Sequence, residues 1–253
     1  MNKKLILYFP LLVFLLISVV NAQDMPPEAA KAYNEGNQYL KSGNYDEAVK
    51  KYNEALLTSK DYRIYYQLGV TLKKQNKLAE AEAAFKSSIE SNPNFDIAYN
   101  GLGGTYFQGG KYQEAVESFK KFEQLTKQKT MKEQAQLNIA RSYVKLAEAN
   151  KKDGNYQKAI ENLNEAIKYN KLDAAYVLLA TTYYENGEYD KAIEAADQVI
   201  NMKTTNLKGA AYYYKAMAFK QKNDIIKAKE NFELAKKDPQ YRKLVEYELK
   251  LLR

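Results

Sequence analysis

The 253-residue sequence contains no cysteine, no histidine and no tryptophan, and only five prolines. Without cysteine the chain forms no disulfide, offers no thiol nucleophile and has no residue for lipid attachment at a processing site. Without histidine as well, it lacks the usual zinc ligands and the commonest general base, so metal or acid-base chemistry would rest on carboxylates alone. The carboxylates are spread along the chain and the hydroxyls show no partner pattern. Catalysis is therefore not expected, and no catalytic, cofactor or metal residue is assigned.

Long apolar runs are scarce too. The one present, Leu5 to Val20, follows Lys3 and Lys4, is interrupted by Pro10 and leads into Val20-Asn21-Ala22. It is shorter than the roughly 20 residues of a bilayer span, and small residues precede Gln23 at the places a signal peptidase reads. Residues 1–22 therefore read as a signal peptide. The expected location is the periplasm or the extracellular side of a bacterial envelope, with membrane contact only through that segment if it stays uncleaved. The net charge of +8 becomes +6 once Lys3 and Lys4 are removed. Both signs are interspersed, and no basic run carries interleaved aromatics, so nucleic acid is not an expected partner.

What is present is repetition. Gly43-Asn44-Tyr45-Asp46-Glu47-Ala48 returns in altered form from Asn76, Gly110, Gly154, Gly187 and Asn223, at intervals of 33, 34, 44, 33 and 36 residues. Each copy starts with Gly or Asn, has an apolar residue two places on and reaches Ala five places on. Gly and Asn tolerate positive φ, so this position reads as the left-handed residue that ends one helix before the next begins. A period near 34 built this way describes a stack of helical hairpins.

On these residues the chain resembles the tetratricopeptide repeat family. With Ala29, Tyr62, Asp96, Ala140, Asp173 and Gly209 as first positions, the small eighth residue is Gly36, Gly69, Gly103, Ala147, Ala180 and Ala216. The twentieth is Ala48, Ala81, Ala115, Ala159, Ala192 and Ala228, and the twenty-fourth is Tyr52, Phe85, Phe119, Leu163, Ala196 and Phe232. Departures fall at Glu35, Lys215 and Asn150, and only Pro93 supplies the closing proline. The resemblance implies an all-α, right-handed superhelical solenoid of about six hairpins, with a C-terminal capping helix. Small residues facing alanines would let the paired helices approach closely.

The order along the chain follows. Residues 23–28 form a linker containing Pro26 and Pro27, 29–129 hold repeats one to three, and 140–242 hold repeats four to six. Residues 243–253 form the capping helix. The ten-residue excess at 130–139 carries Thr130-Met131-Lys132-Glu133, which fits a capping box, and an apolar stripe of Met131, Ala135 and Ile139. It reads as an N-terminal extension of the first helix of repeat four, packed on repeat three.

By the resemblance, positions 2, 5, 9, 12 and 13 of each first helix form a concave face. Candidate groove residues there are Tyr33, Asn37, Arg63, Tyr66, Lys73, Lys74, Asn100, Gly104, Phe107, Arg141, Glu148, Tyr184 and Tyr213. Across that face basic residues outnumber acidic ones by eight to two. A protein or peptide segment of acidic character is the expected partner. The alternative is a structural or assembly subunit of an envelope complex that uses its convex face and ends. Tyr65, Tyr99, Tyr106, Tyr112, Tyr156, Tyr176, Tyr183 and Tyr189 stand at packing positions and are expected in the core. Chaperone-binding members of the family clamp a C-terminal dicarboxylate with five residues. Of the corresponding Tyr33, Asn37, Gln67, Ile97 and Gly101, only Asn37 matches. The glycines at 101, 103, 104, 109 and 110 do not form a phosphate loop, because the Gly-x-x-x-x-Gly-Lys spacing is missing. Gly101 and Gly104, which the repeat does not require, are expected to leave room for a ligand backbone.

Overall fold

A left-handed residue stands at all six expected turns: Gly43, Gly110, Gly154 and Gly187 have φ between 75° and 80°, and Asn76 and Asn223 have φ of 60°. At each one two backbone bonds close the helix end. The Asn44 N–H donates to the Tyr39 carbonyl (2.9 Å) and the Gly43 N–H to the Leu40 carbonyl (3.2 Å). The same pair recurs at Lys77, Lys111, Asn155, Glu188 and Asp224, each donating to the residue five before it. These are Schellman closures, and they reverse the chain within three residues.

The computed structural model describes residues 25–252. The signal peptide reading of residues 1–22 lies outside them. Regular structure among the described residues is entirely helical. Six hairpins follow one another: α1 (Pro27–Lys41) with α2 (Tyr45–Thr58), α3 (Tyr62–Lys74) with α4 (Leu78–Ser91), and α5 (Asp96–Gln108) with α6 (Tyr112–Leu125). Then come α7 (Lys129–Lys152) with α8 (Tyr156–Tyr169), α9 (Asp173–Glu185) with α10 (Tyr189–Ile200), and α11 (Lys208–Gln221) with α12 (Ile225–Ala235), before α13 (Arg242–Leu251). Every helix packs on the next, and the array is an all-α repeat solenoid. Pro27 is the first residue of α1, not part of a linker, because a first-turn proline has no N–H that the helix would need.

The six position-20 alanines are completely buried. The small residues opposite them have a different neighbour from the expected one. A Cβ on Gly36, Gly69 or Gly103 would first meet the ring of Tyr52, Phe85 or Phe119, at 2.7, 3.0 and 2.8 Å respectively. The eighth position is thus small to admit the aromatic of position 24, one turn beyond the alanine. Phe85 goes further, since a Cβ on Gly101 of the next hairpin would overlap the same ring. Gly101 therefore makes room for a core ring and not for a ligand.

Helix α7 has 24 residues where the other helices have 10 to 15. Its start differs from the expected capping box. Only Lys127 and Gln128 separate it from the extended cap residue Thr126, so the helix must begin at Lys129, with Gln128 as N-cap and no side-chain cap bond. Thr130 lies inside the first turn, where its hydroxyl cannot cap. The apolar stripe is as expected: Ala135 and Ile139 have no exposed surface, Met131 receives a contact from the Thr126 hydroxyl (3.6 Å), and Gln136 donates to Glu123 of α6 (2.7 Å). Helix α7 thus packs on both α6 and α8.

The core tyrosines are less buried than expected. Tyr106 and Tyr143 are 9% exposed and Tyr52 is fully enclosed, while Tyr65, Tyr99, Tyr112, Tyr156, Tyr176, Tyr183 and Tyr189 are half-buried. A phenol keeps its hydroxyl wet while its ring packs, so it seals the rim of a narrow two-helix layer.

At the C-terminus, α13 buries Val245 and packs Leu249 and Leu252 on the α11/α12 hairpin, and Lys220 binds Glu248 (2.5 Å). Its outer side is mixed, with Arg242, Lys243, Glu246 and Lys250 exposed beside large apolar residues. Leu244, Tyr247 and Leu251 are 51%, 62% and 57% exposed and share one helical stripe.

Candidate functional site

First helices of successive hairpins touch one another directly: α1 meets α3, α3 meets α5, α7 meets α9, and α9 meets α11. A row whose members touch is the inner row of a curved stack, so the residues it turns outward line the concave side. Between α5 and α7 this direct contact is sparser, and a hollow of about 310 Å³ opens there.

Lys73 reaches this hollow from α3. Asn100, Gly104 and Phe107 line it from α5, and Asn138 and Arg141 from α7. Phe119 of α6, 3% exposed, closes it below. Helical spacing explains the sets: Asn100 and Gly104 are four residues apart, Gly104 and Phe107 three, and Asn138 and Arg141 three. The Lys73 ammonium lies 2.7 Å from the point where a Cβ on Gly104 would stand. The open space at Gly104 therefore accommodates this lysine, not the backbone of a ligand as the sequence suggested.

A second hollow of about 340 Å³ lies on the other side of α7. It is lined by Val144, Glu148 and Lys151 of α7, Ala174, Val177, Leu178 and Thr181 of α9, and then Leu207, Tyr214 and Tyr241. Its character is mainly apolar and aromatic. The two hollows share α7 as a common wall.

The remaining candidates have structural partners. Tyr33 packs on Tyr52 (ring centroids 6.1 Å apart), whose hydroxyl donates to Asn37 (2.8 Å). Tyr66 lies between Phe85 (5.8 Å) and Phe95 (5.3 Å). Tyr184 meets Tyr189 and Tyr214, and Tyr213 meets Tyr214, Phe232 and Tyr241, so both belong to an aromatic cluster on the last hairpins. Burial, with help from Glu248, pushes the Tyr213 phenol up to about 12.

The basic bias of the face is smaller than the sequence suggested, because cross-helix and local acids neutralise part of it. Arg63 pairs with Asp61 (2.6 Å), Lys151 with Glu185 (2.8 Å) and Lys220 with Glu248 (2.5 Å). Glu148 is in turn held by Lys145 (2.7 Å). Lys73, Lys74 and Arg141 take part in none of the ion pairs among the described residues. Lys74 is exposed, with its ammonium 6.0 Å from the Tyr45 ring. Lys41 and Lys152 of the same face are likewise unpaired among the described residues, and Lys73 and Arg141 are the two of these cations that share one hollow. Sequence register reached five of the seven residues around it. Phe119 was assigned to the core, and Asn138 precedes the first position of repeat four; only its place one turn before Arg141 could have found it.

Comparison with known proteins gives one picture. Family models described as tetratricopeptide repeat match residues 66–129 and 144–205, and a further TPR repeat model matches 36–76, together more than half of the chain. Among curated proteins, the Hsp70-Hsp90 organizing protein of Triticum aestivum is 30% identical over 95 residues, which is 37% of this chain and 16% of that protein. Small glutamine-rich tetratricopeptide repeat-containing protein 2 of Mycosarcoma maydis is 29% identical over 90 residues, 34% of this chain and 25% of its own length. The matches thus span a quarter or less of these relatives. Among solved structures, that of MamA is 29% identical with a TM-score of 0.51, covering 72% of this chain and 93% of the other. YrrB, described as "a TPR protein with an unusual peptide-binding site", is 20% identical with a TM-score of 0.52, covering 79% and 97%. Six in-phase left-handed turns, six buried alanines and these matches lead to one statement: the chain belongs to the tetratricopeptide repeat family.

Proposed function

We propose that the protein is a non-catalytic scaffold, exported to the bacterial envelope, that binds a segment of another protein along its inner face. The observation that carries this reading is the pair of hollows flanking α7, one cationic and polar, the other apolar and aromatic. Two adjacent seats of different chemistry on one continuous face suit an extended peptide presenting different side chains in succession. Export is supported by the basic, apolar and small-residue order of residues 1–22. A chaperone tail is not the proposed partner, because Tyr33, Gln67, Ile97 and Gly101 stand where the dicarboxylate clamp would need other residues.

A second reading, an assembly subunit held by its ends, is favoured by one observation, the exposed Leu244, Tyr247 and Leu251 stripe of α13. Two variants separate the readings. Ala174 is exposed at the mouth of the second hollow, so Ala174→Arg fills that hollow without entering the core. Combined with Lys74→Ala, it should reduce retention of partners from envelope extracts by roughly tenfold, since the arginine obstructs the apolar seat where hot-spot contacts concentrate. Leu244→Ser with Leu251→Ser should leave retention intact. The opposite pattern would replace the groove with the end surface. Mass spectrometry of the envelope-fraction protein should give a chain beginning at Gln23, and a cytoplasmic full-length chain would remove the export claim.

A further inference from the structure

The hollow between α5 and α7 contains a lysine without a counter-ion among the described residues. Burial, and after it the neighbouring Lys74, pulls the Lys73 pKa below the ordinary lysine value, because its ammonium has given up water and met no carboxylate. Several other partly buried lysines of this chain do meet a polar side chain: Lys51 pairs with Glu35, Lys151 with Glu185, and Lys120 donates to the Tyr143 hydroxyl (3.0 Å). Arg141 stands on the opposite wall, also unpaired among the described residues. The amides complete the lining. Asn100 has no side-chain hydrogen bond among the described residues. Asn138 accepts at Oδ1 from Gln134 (3.1 Å), which leaves its amide protons free to donate. The walls therefore offer two cations and amide donors, with no carboxylate, beside the apolar ring of Phe107.

We propose that this hollow is the seat of a single carboxylate carried by the bound peptide, paired from two sides by Lys73 and Arg141 and held by the Asn100 and Asn138 amides. The proposal rests on the groove reading above and narrows it to one recognised group. A carboxylate only accepts hydrogen bonds and is planar, so it can use several donors at once, and such charge-assisted bonds are the strong ones. Its source is an aspartate or glutamate side chain or a free chain end. The seat shares no residue with the clamp set tested at Tyr33, Asn37, Gln67, Ile97 and Gly101. It depends on the insertion, which lengthens α7 where the first helices make least contact and supplies Asn138.

The test uses a displayed library of random peptides selected on the full chain. Selected peptides are then synthesised with a free or amidated C-terminus and with each acidic side chain changed to its amide, and binding is read by fluorescence anisotropy. One carboxylate should dominate, its conversion to an amide lowering affinity roughly tenfold or more, as for a charged hydrogen-bonding group. Loss on amidation identifies the chain end as the source, and loss on side-chain conversion identifies the side chain. Lys73→Met should shrink the difference between acid and amide peptides, and Lys73→Met with Arg141→Met should make the two bind alike. Gly104→Ala should weaken the acid peptide similarly while the thermal midpoint holds or rises, because it displaces only the end of Lys73 and alanine favours the helix. Equal binding of acid and amide forms by the native protein, discrimination undiminished by Lys73→Met, or discrimination that survives the double variant overturns the seat. So does displacement of the peptide by inorganic phosphate where acetate has no effect. Neutral peptides blocked by Ala174→Arg would leave the groove reading standing and remove the seat, whereas enrichment of no peptide at all would remove both.

Discussion

Phe85→Ala should lower stability by about 3 to 5 kcal/mol, the usual cost of emptying a fully enclosed aromatic site. The ring has no exposed surface and fills the space over Gly69 of its own hairpin and Gly101 of the next, with Tyr66 at 5.8 Å. Loss of this ring therefore weakens both a hairpin and its junction with its neighbour. Urea titration followed by circular dichroism measures the change, and an unaltered midpoint would disprove the interlock. The sign of a second change is more diagnostic. In a helix Gly→Ala normally stabilises by about 1 kcal/mol. Gly101→Ala should instead destabilise the native protein, because the new methyl overlaps the Phe85 ring, and should stabilise the Phe85→Ala background, where the space is empty. That reversal is a coupling energy that only residues in contact produce.

Ile139→Ala should cost about 2 to 5 kcal/mol, although it lies in a segment that the repeat pattern does not contain. A linker residue would give almost none of that loss. Ile139 and Ala135 are completely buried, and the Gln136 to Glu123 bond ties the same stretch to α6. Limited proteolysis gives the matching readout. The native chain should resist cleavage from 127 to 141 and the variant should become susceptible there. Release of two stable halves from the native chain would mean that the six hairpins form two separate three-repeat units.

The elements legible from sequence are those fixed by local conformation and by period. Gly43, Asn76, Gly110, Gly154, Gly187 and Asn223 could be read because positive φ selects residue type directly. The buried alanines could be read because six copies in phase leave no other position for them. What stayed hidden depends on contacts between hairpins. Nothing near Gly101 reveals that a ring 16 residues earlier occupies the space beside it. The lysines at 151 and 220 look free until Glu185 and Glu248, on later helices, approach them. Lys73 differs from them only because no acid on α5 or α7 comes within reach, a property of the stack and not of its own repeat. Thr130 and Glu133 have the composition of a capping box, yet the short connection to α6 starts the helix earlier and turns their side chains away from that use.

Most buried apolar residues among the described ones fall in two clusters. One runs from Ala29 to Ala211, while Ala216, Ala228, Phe232, Ala235 and Val245 form their own small core in α11, α12 and α13. In a linear array, each unit is held by its own hairpin and one or two neighbours, so a terminal unit with a separate core opens at lower cost than the array melts. Backbone amides of α12 and α13 would then trade their protons with solvent through a local opening in which α3 to α10 stay shut. Fluctuation would be greatest at the end that also exposes Leu244, Tyr247 and Leu251, and anything that covers that stripe would slow the exchange of the whole final hairpin.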